Sequence, residues 1–137
     1  MAKFITDPAV FIGVYQTIAD YMDSVDSGDL DRLVHILREA QRIRPDGQPA
    51  GPDPDAIREG YSKAHPFPGP DGKRPTKHNL TNVRVREGSG PNRYAVDAYY
   101  IIVDGSTGEA RILRTGRYKV EIERRDDDWV IVAFHVI

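Results

Sequence analysis

From Pro8 onward the apolar positions recur at helical spacing. Phe11, Val14, Ile18, Met22 and Val25 follow one another at steps of 3, 4, 4 and 3 residues, which puts them on one face of a long helix. Asp7-Pro8 supplies its start, an N-cap carboxylate followed by a proline whose missing N–H is harmless at the first helical position. Tyr15 and Tyr21 flank or join the stripe. "DSGD" (26–29) interrupts it, and Asp29 caps a second helix bearing Leu30, Leu33, Val34 and Leu37. Asp23 and Asp31 are expected to face solvent. "RPDGQPAGPDPD" (44–55) reads as a Pro/Gly turn region. Its Asp53-Pro54 repeats the cap signal for a third helix with Ile57, Tyr61 and Ala64 on one face. "HPFPGPDGKRP" (65–75) is a second Pro/Gly loop, long enough to border a site.

At Thr76 the period changes to two. Four strands are predicted, over 76–87, 93–104, 109–125 and 128–137, joined by the short turns "EGSGPN", "DGSTG" and "RDDD". Such turns make an antiparallel meander. The third strand alternates cleanly, with Tyr118, Val120 and Ile122 set against Arg117, Lys119, Glu121 and Glu123. The second and fourth are apolar on both faces, so the sheet either curls around a cavity or meets another subunit on its outer side. On the first strand, His78 and Leu80 have one parity and Val83 and Val85 the other. A bulge near Thr81-Asn82 would bring them to one face. Helices followed by a meander give an α+β fold, with N-terminal helices packed on a curved, mostly antiparallel sheet. A curled sheet closed by helices makes a cone with an apolar interior, suited to a small molecule.

Composition narrows the function classes. The 137 residues suit one domain, 1–137, and 39% of them are hydrophobic and 29% charged. A net charge of −2 leaves no basic footprint for nucleic acid or an anionic membrane. No stretch approaches the ~18 apolar residues that a membrane-spanning helix needs, and no signal peptide is evident. A cytoplasmic location is the default expectation. Without a single Cys there is no thiolate nucleophile, disulfide or zinc knuckle. His35, His65 and His135 are scattered without metal-ligand spacing, so no metal is expected, and "GSG" at 88–90 is a hairpin turn, not a phosphate cradle.

Four segments in order, "YMDSVDSGDLDRLVHIL", "REAQRIRPDG", "TKHNLTNVRV" and "GRYKVEIERRDDDWVI", resemble the SnoaL-like branch of the nuclear-transport-factor-2-like superfamily. The resemblance covers nearly the whole chain and implies the same cone-shaped α+β fold. That fold hosts dehydratases, isomerases, polyketide cyclases and the non-catalytic β-subunits of ring-hydroxylating dioxygenases, so it licenses no activity by itself. In scytalone dehydratase and bile-acid 7α-dehydratase an Asp near the end of the first helix pairs with a His on the first long strand. Asp26 and His78 fall on those places. Tyr21 stands five residues before Asp26, where the bile-acid enzyme and ketosteroid isomerase carry a Tyr. The second His of scytalone dehydratase is matched only by Tyr99. Arg44 stands where ketosteroid isomerase has its catalytic Asp, and a guanidinium cannot accept that proton.

Asp26, His78 and Tyr21 are therefore the candidate catalytic residues, and Asp97, Tyr99 and Tyr15 the candidate substrate-binding ones. Each also has a plainer reading: Asp26 a turn carboxylate, His78 a hydrogen-bonded structural histidine, Tyr21 a core aromatic. Asp97 shares its parity with Ala95, Tyr99, Ile101 and Val103 and would turn inward, or face solvent or a subunit contact. The chemistry open to a Tyr/Asp/His set is proton transfer, which suits dehydration, isomerisation or cyclisation of an apolar, ring-containing molecule with no cofactor. The alternative is a ligand-binding or accessory subunit, and a homodimer is expected in either case.

Overall fold

The structure is a computed structural model that describes residues 3–65, 76–106 and 108–137. The three expected helices form where their caps stand: α1 (Pro8–Ser27), α2 (Leu30–Ile36) and α3 (Pro54–Ala64). In each, the capping carboxylate accepts a backbone N–H: Asp7 from Ala9, Asp29 from Arg32 and Asp53 from Ala56, at 3.0, 3.1 and 2.8 Å. A cap of this kind is worth about 1 kcal/mol. Gly28 ends α1 in the left-handed region, φ 74°, a conformation open to glycine at no steric cost. Asp23 and Asp31 face solvent, each in an ion pair with an arginine.

The core face of α1 carries Val10, Val14, Ile18, Tyr21, Met22 and Val25. Burying such a side chain contributes about 1.5–3 kcal/mol. Phe11, expected on that stripe, lies instead at its edge and is part exposed, stacked on Tyr15 with ring centroids 6.1 Å apart.

Two short strands, β1 (Gln41–Ile43) and β2 (Pro49–Ala50), precede the meander β3 (Thr76–Glu87), β4 (Arg93–Asp104), β5 (Arg111–Arg125) and β6 (Asp128–Val136). The sheet runs in the order β2-β1-β6-β5-β4-β3, antiparallel except where β1 lies parallel to β6. The region read as turn therefore supplies the loop and second strand of a small hairpin. Strands of three and two residues carry no period of their own, and it is the free edge of β6 that shapes β1. The loop expected over 65–75 lies, beyond His65, outside the described residues.

The bulge expected on β3 is present. Its register with β4 shifts between Thr81 and Arg84, and Asn82 has φ 53°. Leu80, Val83 and Val85 consequently join one core with Val96, Tyr100, Tyr118, Val120 and Phe134. At the outer edge of β3 the N-terminal segment adds an antiparallel bridge, Phe4 to Arg86, and Ile5 N–H donates to the Val85 carbonyl at 2.9 Å. That contact covers part of an edge left open to pairing with another chain. Among the described residues no helix is long and apolar enough to cross a membrane.

Candidate functional site

Asp26 extends the α1 stripe one further step past Met22 and turns inward, 8% exposed. The C-terminal end of a helix is the negative end of its dipole, an unfavourable place for a carboxylate. Two donors from a single residue of β3 offset this. His78 gives its backbone N–H to Asp26 Oδ2 at 2.7 Å, and its ring Nδ1 lies 2.7 Å from Oδ1. β3 is the edge strand of the sheet, so part of its backbone is free of the ladder and can serve a side chain. Both side chains are buried, His78 to 4% and Asp26 to 9% exposure. An ionised carboxylate only accepts, so this geometry puts the imidazole hydrogen on Nδ1 and the lone pair on Nε2.

Aromatic groups continue from this pair. The His65 ring, the residue after α3, lies 5.5 Å from that of His78 and stacks at 6.2 Å on Tyr61. The Tyr61 hydroxyl is 2.9 Å from that of Tyr21. Tyr21 packs on Phe134 with centroids 4.7 Å apart and edge-on to Tyr118, which stacks on Tyr100 at 4.5 Å. From β1, Arg42 holds its guanidinium 5.7 Å over the Tyr61 ring. Together these side chains give the cone a polar, aromatic-lined interior, consistent with a catalytic or ligand-binding pocket. Two surface depressions, of about 430 and 400 Å³, lie elsewhere. One is at the β3–β4 turn and the other lies among α1, α2 and the β5–β6 turn.

Burial favours the neutral form of three interior phenols, Tyr21, Tyr61 and Tyr118. Desolvation pushes the Tyr21 hydroxyl well above the ordinary tyrosine range, with the neighbouring Tyr61 and Tyr118 adding to it. Tyr118 is raised as strongly, first by burial and then by Tyr61, Tyr100 and the Asp26 carboxylate. Tyr61 is raised by burial, partly offset by its hydrogen bond to Tyr21 and by Arg42. Between the unfolded-state value near 10 and these higher folded values, the folded chain binds more protons than the unfolded one. Stability therefore falls as pH rises through that window, by about 1.4 kcal/mol per group per pH unit. An ultraviolet phenolate titration is expected to leave three of the seven tyrosines silent until alkaline unfolding. Early titration of all seven would contradict this packing.

Of the residues expected at the site, Asp26 and His78 are joined directly. Tyr21 enters the same interior, its hydroxyl bonded to Tyr61 and not to either of them. The other three are elsewhere. Asp97 and Tyr99 point to the outer face of the sheet, since the inward parity on β4 belongs to Val96, Ala98, Tyr100 and Ile102. Asp97 is ion-paired there with Arg86 and, at 3.4 Å, with Arg117, whose guanidinium also lies 5.6 Å over the Tyr99 ring. It is buried by long arginine side chains laid across the sheet, because its cross-strand neighbours are Arg84 and Lys119. Alternation along one strand cannot show what stands opposite. Tyr15 is on the exposed side of α1. Sequence reasoning missed Tyr61, His65 and Arg42 as site residues. Tyr61 and His65 sit four residues apart at the end of a capped helix, a spacing that could have paired them, whereas Arg42 left no signal. Among the described residues no cluster of His, Cys, Asp or Glu could hold a metal ion.

Residues 13–135 match the SnoaL-like domain. Among solved structures, Aln2 from a Streptomyces species superposes with a TM-score of 0.78 at 16% identity, over 96% of this chain and 92% of its own. A candidate scytalone dehydratase from Novosphingobium aromaticivorans gives 0.69 at 13% identity, over 93% and 83%. The β-subunit of a candidate aromatic-ring-hydroxylating dioxygenase from the same organism gives 0.67 at 13% identity, over 94% and 88%. No curated protein matches this chain in sequence. At such identities the superpositions establish the cone and its element order.

Proposed function

We propose, from the premise that the chain belongs to the SnoaL-like domain family, that it is a cofactor-free acid–base catalyst acting on a ring-containing small molecule. The observation that carries this reading is the double contact of Asp26 with His78, made across 52 residues of sequence. A turn carboxylate satisfied by its own neighbours would have no need of that pairing. With Nδ1 committed to Asp26, His78 Nε2 takes the proton next to a carbonyl, and Asp26 stabilises the imidazolium that results. The Tyr21–Tyr61 pair, held neutral, donates to the oxygen that gains charge or leaves. Dehydration, double-bond isomerisation and aldol-type cyclisation all use this transfer. Supporting the choice of ligand, the interior presents aromatic faces from Tyr21, Tyr61, Tyr100, Tyr118 and Phe134. The test is a panel of cyclic β-hydroxy ketones, with dehydration followed by enone absorbance. Turnover is expected in the wild type and not in His78→Gln, and equal rates for the two would overturn the reading.

One observation favours a second reading, a ligand-binding or accessory subunit without catalysis. The Asp26 and His78 side chains are almost wholly buried, as befits a pair that satisfies each other structurally. Slow, substrate-independent exchange of the His78 ring hydrogens with solvent would support it.

In either role the chain is proposed to form a homodimer through the outer face of the sheet. Tyr99 and Ile112 are 40% and 67% exposed there, close to Ile101 and Val103. Light scattering at micromolar concentration is expected to give twice the chain mass of 15.4 kDa. A monomer would remove the proposal.

A further inference from the structure

Arg42 sits in the interior in an unusual state. It projects from β1 beside Phe134 of β6 and is 8% exposed. Its Nη2 donates to the Gly51 carbonyl at 3.1 Å, and its guanidinium rests over Tyr61. Its buried Nε has no hydrogen-bond partner among the described residues. Arg32, Arg38, Arg58, Arg86, Arg93, Arg111, Arg117 and Arg125, all more exposed, are each paired with a carboxylate. Arg42 makes no such pair among the described residues.

A guanidinium cannot shed its proton in a protein, so the interior keeps this positive charge. Leaving a buried donor of a charged group unsatisfied carries the desolvation cost of that group. The contact with the Tyr61 face offsets part of that cost, and Gly51 takes one hydrogen of Nη2. If Arg42 served only to pin β2, an apolar residue or a paired arginine would do so at less cost. The Nε–H left over from the contacts with Gly51 and Tyr61 is instead a charged donor that an anionic oxygen would satisfy.

We infer that Arg42 binds the anionic oxygen of the ligand, so that the molecule taken into the cone is an acidic ring compound bearing a carboxylate or enolate. This rests on the reading of the interior as a ligand site. Tyr61 connects the two ends of that site: Arg42 lies over its ring, and His65, beside His78, stacks on it. An acid held by Arg42 would thus lie with its ring among the aromatics, toward the Asp26–His78 pair.

The test uses 1-naphthoate and its neutral counterpart 1-naphthalenemethanol, titrated calorimetrically into wild type, Arg42→Gln and Arg42→Lys. The wild type is expected to bind naphthoate at least tenfold more tightly than the alcohol. Arg42→Gln should lose that preference while still binding the alcohol, and Arg42→Lys should keep part of it. Binding of both probes without preference, or a preference that survives Arg42→Gln, overturns the inference and leaves the ligand-site reading standing. Binding of neither probe overturns both. If Arg42→Gln fails to fold, the wild-type Arg42 Nε–H resonance decides: it is expected to shift with naphthoate and not with the alcohol, and an unmoved resonance refutes the role.

Discussion

Replacing Asp26 with asparagine is expected to lower the rate of proton transfer by about two to four orders of magnitude, the range for positioned acid–base groups, while the fold is kept. The carboxylate serves two donors at once, the backbone N–H and the ring Nδ1 of His78, both at 2.7 Å. An amide of the same shape has one acceptor and one donor end. If its oxygen keeps the backbone N–H, its NH2 faces Nδ1. The imidazole hydrogen then moves to Nε2, where the base needs its lone pair. If its oxygen faces Nδ1, two donors meet at the backbone. Either arrangement also forfeits a charge-assisted bond worth about 1.5–3 kcal/mol, so the melting temperature should drop without loss of cooperativity. Nitrogen NMR of the ring gives a readout that needs no substrate. It is expected to show Nδ1–H in the wild type and Nε2–H in Asp26→Asn. The same tautomer in both, with an undiminished rate, would refute the positioning role. Tyr21→Phe should cost less, because it removes one donor and leaves Tyr61 in place.

Gly13→Ala is expected to destabilise the protein by about 1–3 kcal/mol, the cost of overpacking a filled site. In the middle of a helix this exchange is ordinarily favourable by about 1 kcal/mol. Here a Cβ would run into Cε2, Cζ2 and Nε1 of Trp129, all nearer than 3.0 Å. The indole has little freedom to retreat, since Arg124 stacks on it at 5.1 Å and Tyr94 packs beside it at 6.1 Å. Gly60→Ala on α3 is the matched control. A Cβ there meets nothing within 4 Å, and a gain of about 0.5–1 kcal/mol is expected. Urea unfolding followed by the emission of Trp129, the sole tryptophan, measures both. An unchanged or raised midpoint for Gly13→Ala would show that helix and sheet are not in close contact at this point.

What the sequence determined by itself was local. Caps at Asp7, Asp29 and Asp53, the 3.6-residue stripe of α1 and the two-residue period after Thr76 are properties of short segments, and backbone sterics and solvent choose the element from them. The β3 bulge was legible for the same reason, because the parity of Leu80 and Val85 conflicts within one strand. The resemblance of four ordered segments placed Asp26 and His78 together. Distance in sequence hid the rest. The pairing of β1 with β6 exists only because a sheet edge was available, and it alone carries Arg42 into the interior beside Tyr61. The outward turn of Asp97 was likewise decided across strands, by Arg84, Arg86, Arg117 and Lys119, which no pattern along β4 contains. Charge and aromatic neighbours within hydrogen-bond or stacking range are tertiary quantities, and it is they, more than the elements that bear them, that turn this cone into a site.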